Sequence, residues 1–468
     1  MMDLFKRTSQ AAHTFCHCDT SLPLISIYII SYNNVHFLYH AIKSVLEQTY
    51  GNIEITISDD ASVGCTVEDA ARMACLAAVD LVFEQNETAD CELSYYPWRQ
   101  TETNSSEELI AHQRAVADWD KDSYGTYQTQ AVAMIPHLFP NVRSITFRRN
   151  PENLGTVKHL KCLKHTAAGK YIMFLAADDK LHDRAVIHDM VCHFEELPKD
   201  AYVLTSQCGM YDANLTNLLY YAVNEELKDK IVTSTPMQLF GELSDWCIIP
   251  AAGTIYKKKV FEIYGDLDDQ YHLIEDWTYF LKLARGGAKV YFYDRLTYMH
   301  RDGGISHGNT VGGGLAYRYY LEDCILLTQQ EILPYLDQVS PAQRKKALRR
   351  YRDTLITYIR SYHFCELSLF GKLWHLLRNG DYYGKRIIAK VCKFFNYRAK
   401  WFFAMATICA LSSFLISVSP TNTFPLFDSI ICWILEWIGL VLYFGTLLAE
   451  VFSFFTKRVL KRSIDPKF

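Results

Sequence analysis

The chain has little excess charge: 48 Lys and Arg stand against 52 Asp and Glu, a net charge of −4 over 468 residues. Nucleic-acid binding ordinarily demands a basic excess, so the balance argues against a nucleic-acid partner. The chain lacks any Cys-x-x-Cys pair although it holds 14 cysteines, so their spacing offers no zinc site. Cys16-His17-Cys18 stands alone near the N-terminus, short of the ligand count zinc needs. It also lacks an apolar leader: residues 1–19 are polar and mixed, which implies reduced thiols in a cytosolic compartment. Lys and Arg are missing altogether from Trp401 to Thr456, a long gap in a chain otherwise rich in both.

What is present has the rhythm of an α/β domain. Leu24 to Ile30 is an almost continuous apolar run, suited to a strand buried on both faces. Phe37, Leu38, Ile42, Val45 and Leu46 then recur at helical spacing, and Ile53 to Ile57 forms a second β-branched strand ending at Ser58-Asp59-Asp60. Strand, helix, strand is the opening of a parallel crossover unit. The pattern breaks between residues 64 and 141, where Val67 to Phe83 and the stretch after Ser105-Ser106-Glu107-Glu108 predict a largely helical insertion. It resumes with a strand at Ser144 to Phe147, a helix from Thr156 to about Ala168, and a buried strand from Tyr171 to Leu175 that ends at Ala176-Ala177-Asp178-Asp179.

The C-terminal third changes character. Ser340-Pro341 predicts the start of a basic helix carrying Arg344, Lys345, Lys346, Arg349, Arg350 and Arg352. It reads equally as a lipid-facing or a solvated face. Trp401 to Val418 and Ile430 to Leu448 are two apolar runs separated by Ser419-Pro420-Thr421-Asn422, with basic residues only on their outer sides. Their lengths and flanks predict a membrane hairpin with both ends, and the globular domain, on the cytoplasmic side. Glu436 and Glu450 favour the alternative of two buried or interfacial helices. The domains expected are an N-terminal segment (1–22), a globular domain (23–325) with its insertion (64–141), a basic helical region (326–400), a two-helix hairpin (401–456) and a basic tail (457–468).

Three acidic pairs stand where chemistry is usually built. Asp59-Asp60 and Asp178-Asp179 follow buried strands, and ligands of open parallel sheets bind beyond strand carboxyl ends. Adjacent carboxylates repel unless a cation is near, and Mg²⁺ or Mn²⁺ prefers such oxygen ligands together with substrate phosphates. Glu275-Asp276 opens an amphipathic helix with Trp277, Phe280, Leu281 and Leu283. Taken singly, each pair reads as an acidic helix start. Together they point to a polar site without naming a reaction.

The ordered blocks Ile25-Ser26-Ile27-Tyr28-Ile29-Ile30-Ser31-Tyr32-Asn33, Ala41 to Tyr50, Ile53 to Ser62, Asn150 to Gly155, Ala168 to Asp179, Glu275-Asp276-Trp277 and Tyr298 to Ser306 resemble family 2 glycosyltransferases. The resemblance implies a GT-A fold: an α/β mixed sheet flanked by helices, here with a helical insertion and a C-terminal helical or transmembrane hairpin region. It implies an inverting transfer from a nucleotide-diphosphate sugar, UDP by default, to a hydroxyl of a glycan or lipid-linked acceptor at the cytoplasmic face of the inner membrane, as in surface polysaccharide or glycolipid synthesis. By the same resemblance Ser31, Asp59, Asp60, Arg149, Asn153, Gly155 and Asp179 bind the nucleotide-sugar, and Asp178 holds Mn²⁺ or Mg²⁺ with His300 as a further ligand. Asp276 is the general base, and Glu275 and Trp277 line the acceptor side.

Two features depart from that pattern. Ala176 replaces the first Asp of the DxD sequence, and the insertion is longer than the compact family pattern needs. Ala176 supports the alternative of a catalytically silent GT-A module that binds a glycan or a partner. The insertion reads as an acceptor-side cover, an assembly element or a structural elaboration. His300 has a purely structural reading, as a hydrogen-bonded histidine. Asp266-Leu267-Asp268 spells a second DxD, read as a helix-flanking or an acceptor-side loop. A nucleotidyltransferase is disfavoured because Ser31-Tyr32-Asn33-Asn34 is no Gly-rich phosphate loop.

Overall fold

A computed structural model describes residues 19–64, 67–85, 135–302 and 314–384, with isolated positions between 405 and 440. The chain forms two compact units, Met1–Tyr362 and His363–Phe468. The first opens with β1 (Ile25–Ser31), α1 (Leu38–Leu46), β2 (Ile53–Asp59) and α2 (Val67–Gln85). After residues 86–134 come β3 (Val142–Arg149), α3 (Thr156–Lys164), β4 (Tyr171–Ala176), β5 (Lys180–Leu181), α4 (Val186–Glu196), β6 (Val203–Tyr211) and β7 (Leu218–Tyr221). Then follow α5 (Glu225–Thr233), α6 (Pro236–Leu243), β8 (Ile255–Lys257), α7 (Val260–Ile263), α8 (Glu275–Arg285) and β9 (Val290–Arg301). Helices α9 (Leu315–Leu327) and α10 (Pro341–Tyr358) complete this unit, and α11 (Leu369–Arg378) lies in the second.

All nine described strands join one mixed sheet, in the order β3-β2-β1-β4-β8-β6-β9-β5, with β7 added to β6. The first four pair in parallel, β8 runs against β4 and β6, and β6 and β9 are parallel. The carboxyl ends of β1, β2, β3, β4, β6 and β9 therefore share one edge. Side chains of a strand alternate between faces. Ile25, Ile27 and Ile29 of β1 enter one core with α1, α2 and α4, while Tyr28 packs on the other face with Leu163 and Ile172. A second large core gathers α6, α8, α9 and α10, with Phe240, Phe280 and Ala347 buried. Residues 326–362 thus pack with the first unit, because Leu327, Ile332, Leu336 and Ala347 are part of that core.

The helix predicted for Thr156 to Ala168 stops at Lys164. Beyond it the backbone peels away onto β1 and β2: Ala168 N donates to Glu54 Oε1 (2.7 Å) and Gly169 N to Ser26 Oγ (2.9 Å). Helix α10 starts where Ser340 predicts, with a capping box in which Ser340 and Gln343 satisfy each other's backbone amides. The described cysteines are free thiols, so no disulfide among them shapes the fold.

Among the described residues no helix is long and apolar enough to cross a membrane. The two apolar runs of the expected hairpin lie outside the described residues apart from isolated positions, as do Cys16-His17-Cys18, Ser105 to Glu108, the end of the Tyr298–Ser306 block and the basic tail.

A Cβ at Gly169 would fall 2.7 Å from Ser26 N and 2.8 Å from Leu24 O, both rigid backbone atoms of the β1 edge. Gly169→Ala is therefore expected to lower stability by about 1–3 kcal/mol through overpacking. Urea unfolding measures this, and an unchanged midpoint would contradict the close approach.

Candidate active site

The carboxyl ends of β1 and β2 are laced into one unit. Ser31 and Asp59 are in register, Asp60 N donates to Ser31 O (2.9 Å), and Asn150 N from the end of β3 donates to Asp59 O (2.9 Å). Both connecting loops pass through left-handed backbone, at Asn33 (φ 56°) and Ala61 (φ 58°). That conformation costs a non-glycine residue energy unless its surroundings hold it. Here Asn33 N donates to Ser62 Oγ (2.6 Å) and Val63 N to Asn33 Oδ1 (3.0 Å), so each loop holds the other.

Asp59 and Asp60 are the internal ties. Asp59 accepts from Ser62 N (2.8 Å) and from the Ser62 hydroxyl, and pairs with Arg149 Nε (3.3 Å), whose other arm reaches Ser62 O (2.9 Å). Asp60 accepts from Asn150 Nδ2 (2.8 Å), Leu154 N (2.9 Å) and Gly155 N (2.9 Å). Gly155 needs its φ of 78° to bring that amide round, and Asn153 Oδ1 shares it at 2.9 Å. Of the residues expected to touch the nucleotide, these two aspartates are buried and committed to the protein, whereas the Ser31 hydroxyl is buried without a hydrogen-bond partner. A buried polar atom left so is costly unless something outside the chain satisfies it.

The end of β4 repeats the contrast. Asp179 is buried; Oδ2 meets His300 Nδ1 (2.8 Å) and Oδ1 accepts from Arg301 N (2.9 Å). Burial opposes a charge on His300, but Asp179, with Asp178 and Asp302 behind it, overcomes this and raises the ring's pKa above its ordinary value. Arg301 donates Nε to Asp178 O (2.8 Å) and stacks 4.2 Å from the Phe37 ring centroid. The Asp178 carboxylate itself receives no hydrogen bond from another described side chain. Burial, then Asp179, pushes its pKa upward.

A half-buried oxygen donor with too little positive charge beside it fits Mn²⁺ or Mg²⁺. Among the described residues no three His, Cys, Asp or Glu side chains converge as a metal cage. Mg²⁺-type sites commonly use one or two carboxylates and leave the rest to substrate phosphates and water. Asp178 meets that requirement. His300, the further metal ligand expected, has one ring nitrogen spent on Asp179. The Asp of the second DxD, Asp266, is paired with Lys164 (2.7 Å) and His165 (3.0 Å) in the loop ahead of α8.

Helix α8 presents the third acidic pair in its first turn. Trp277 is pinned: its Nε1 donates to Leu243 O (2.7 Å), and Arg350 of α10 lies over the Trp277 and Trp246 rings at 4.1 and 4.5 Å. Asp276 Oδ1 accepts from Trp277 N (2.7 Å), whereas Glu275 Oε2 is buried with no partner. The two residues are partly exposed, but their carboxyl groups turn inward. Burial raises both, Glu275 to about 8 with the Asp276 charge adding to it, and Asp276 to about 6. The two carboxyls titrate as a pair, and burial favours keeping a proton on it further up the pH scale than an exposed carboxylate would.

Sequence reasoning missed the residue that sets this turn. Asp323 of α9 is buried and accepts from His272 N (2.9 Å) and Leu273 N (2.7 Å), with His272 Nδ1 at 3.2 Å. It fixes the loop that leads to Glu275 and Asp276. His272 O in turn lies 3.9 Å from where a Gly155 Cβ would sit, so this loop abuts the turn held by Asp60. The only signal in the sequence was a carboxylate beside the apolar run Cys324-Ile325-Leu326-Leu327.

Residues 26–75 match the profile of Glycosyl transferase family 2, a stretch that includes Ser31, Asp59 and Asp60. No curated protein matches the chain. Among solved structures, S. aureus TarS is 12% identical with a TM-score of 0.38; the likeness covers 74% of this chain and 46% of that one, so the chain spans less than half of that protein. TarS 1–349 in complex with UDP-GlcNAc is 12% identical over 76% of this chain and 80% of its own, with a TM-score of 0.39. The mannosyltransferase PcManGT from Pyrobaculum calidifontis, in complex with GDP-Man and Mn²⁺, is 11% identical over 81% and 86%, with a TM-score of 0.36.

Asp323→Ala is expected to orphan the His272 and Leu273 amides and to cost on the order of 1–3 kcal/mol per donor. Asp323→Asn, which keeps an acceptor, recovers part of that loss in urea unfolding; equal loss in both variants would refute the hydrogen-bonding account. Glu275 gives a pH signature. Folded, it keeps its proton to about pH 8, whereas an unfolded glutamate releases it in the ordinary carboxylate range. Between those limits the folded state binds more protons, so stability falls as pH rises. Glu275→Gln should flatten this decline from roughly pH 5 to pH 8, and a decline of unchanged slope would assign it to other groups.

Proposed function

We propose that this protein is a glycosyltransferase that moves a sugar from a nucleotide-diphosphate donor, a UDP-sugar by default, to a hydroxyl of a glycan or lipid-linked acceptor. The observation that carries the reading is the arrangement of carboxylates along the sheet. Asp59, Asp60 and Asp179 are neutralised within the protein, while Asp178 and the Glu275-Asp276 pair keep unspent acid and base capacity. The family 2 match over residues 26–75 supports a nucleotide-sugar donor at the β1 and β2 ends.

In this reading the Ser31 hydroxyl and the Asn33–Ser62 loops receive the nucleoside, and Arg149 and the 153–155 turn flank it. Asp178 would hold Mn²⁺ or Mg²⁺, which when bound supplies positive charge for the departing diphosphate. Asp276 takes the proton of the acceptor hydroxyl as that oxygen bonds to the anomeric carbon. The carbon–oxygen bond to the diphosphate breaks on the opposite side, so the configuration inverts and the nucleoside diphosphate leaves. Glu275 stands beside Asp276 on the acceptor side, where Trp277 fixes the turn. The apolar runs after Trp401, with basic residues only at their outer flanks, support work at the cytoplasmic face of a membrane on a surface polysaccharide or glycolipid.

The test is donor hydrolysis by the full chain across a panel of nucleotide sugars with Mn²⁺ or Mg²⁺. One donor should turn over, and Asp178→Ala and Asp276→Asn should each lower the rate by roughly two orders of magnitude. Calorimetry of donor binding separates the two variants: Asp178→Ala loses the metal-dependent part of binding, and Asp276→Asn retains it. No metal-dependent nucleotide binding by the unaltered chain would sink the enzyme reading in favour of a silent module, for which Ala176 speaks.

A further inference from the structure

Helix α11 is turned inside out for a helix in water. At helical spacing Leu369, Phe370, Leu373, Trp374, Leu376 and Leu377 form one continuous apolar arc, and Gly371, Lys372, His375 and Arg378 the other. A surface helix ordinarily buries the apolar arc. Here every residue of that arc is exposed, from 42% at Leu376 to 87% at Leu369, whereas Gly371, Lys372 and His375 are half-buried. The polar side is also the one tied to its surroundings: His375 Nε2 meets Tyr383 OH at 3.0 Å, and Asn379 Nδ2 donates to His375 O at 2.9 Å, with Asn379 and Tyr382 buried. Ser368 caps the helix by accepting from Gly371 N (3.1 Å), so its start is set locally.

We propose that α11 lies in the headgroup–acyl boundary of an anionic lipid bilayer, with Leu369, Phe370, Leu373, Trp374 and Leu377 inserted. Two observations select lipid as the occupant. Residues 367–400 carry eight Lys or Arg and a single acid, Asp381, so the surroundings attract anionic headgroups and repel a second copy of the same surface. The mixture of Trp, Phe and Leu opposite basic residues, on a helix too short to span, is the composition of an interfacial helix. The proposal rests on the membrane placement above but not on the transferase chemistry. It adds a contact distinct from the hairpin, in residues that come in the sequence between the globular domain and the apolar runs.

Hydrogen–deuterium exchange on the full chain tests it peptide by peptide. With vesicles of phosphatidylglycerol and phosphatidylcholine, amides of residues 369–378 should exchange several-fold more slowly than without lipid, and less protection should appear with phosphatidylcholine alone. A Phe370→Ser, Trp374→Ser double variant, altered only at exposed positions, should lose that protection at α11. Peptides from residues 401–456 report the hairpin separately, and donor hydrolysis reports the transferase reading, so the failures are distinguishable. Equal exchange of residues 369–378 with and without anionic vesicles would overturn the proposal. So would protection that grows with protein concentration in the absence of lipid, which would give the face to a second copy.

Discussion

Asp60 receives three hydrogen bonds, from Asn150 Nδ2, Leu154 N and Gly155 N, and through them one buried carboxylate fastens the end of β2 to the turn that starts α3. Its charge is expensive to bury and is stabilised only because backbone amides converge on it. The rest of the sheet edge depends on that knot. Asp59 beside it draws in Ser62 and Arg149, the left-handed loops at Asn33 and Ala61 brace each other, and the turn at Gly155 meets the loop that leads to Glu275.

Charge along this edge is compensated unevenly, and the unevenness is where chemistry can occur. Asp59, Asp60 and Asp179 are paired or hydrogen-bonded by the protein and act as struts. Asp178 has only a distant share of His300 and Arg301, and Asp276 holds one backbone amide. Glu275 has none for Oε2. A carboxylate whose charge the fold leaves unmet is poised to accept a cation or a proton, as the proposed transfer requires.

The helical C-terminal part of the first unit braces the segment around α8. Asp323 on α9 holds the loop ahead of α8, and Arg350 on α10 is fixed over the rings of Trp246 and Trp277. The basic helix is therefore divided in its work: Arg350 is half-buried against aromatics, while Arg344, Lys345, Lys346, Arg349 and Arg352 stay exposed.

The parts of this protein written in local pattern were legible in the sequence. The apolar runs Leu24–Ile30 and Tyr171–Leu175 became parallel neighbours, the Ser340 cap began α10, and the three acidic pairs fell at strand ends or a helix start, because burial period, capping chemistry and turn residues act over a few neighbouring positions. Tertiary structure alone decided which acids are struts and which are left with few partners. Asp178 and Asp179 are adjacent and chemically identical, yet only Asp179 meets His300 and the Arg301 amide, which arrive from β9 at the far end of the domain. The same holds for Asp323 and Arg350, whose partners lie in loops and helices remote in the chain. The state of a carboxyl group is set by what surrounds it in space, and a sequence lists only what stands beside it along the chain.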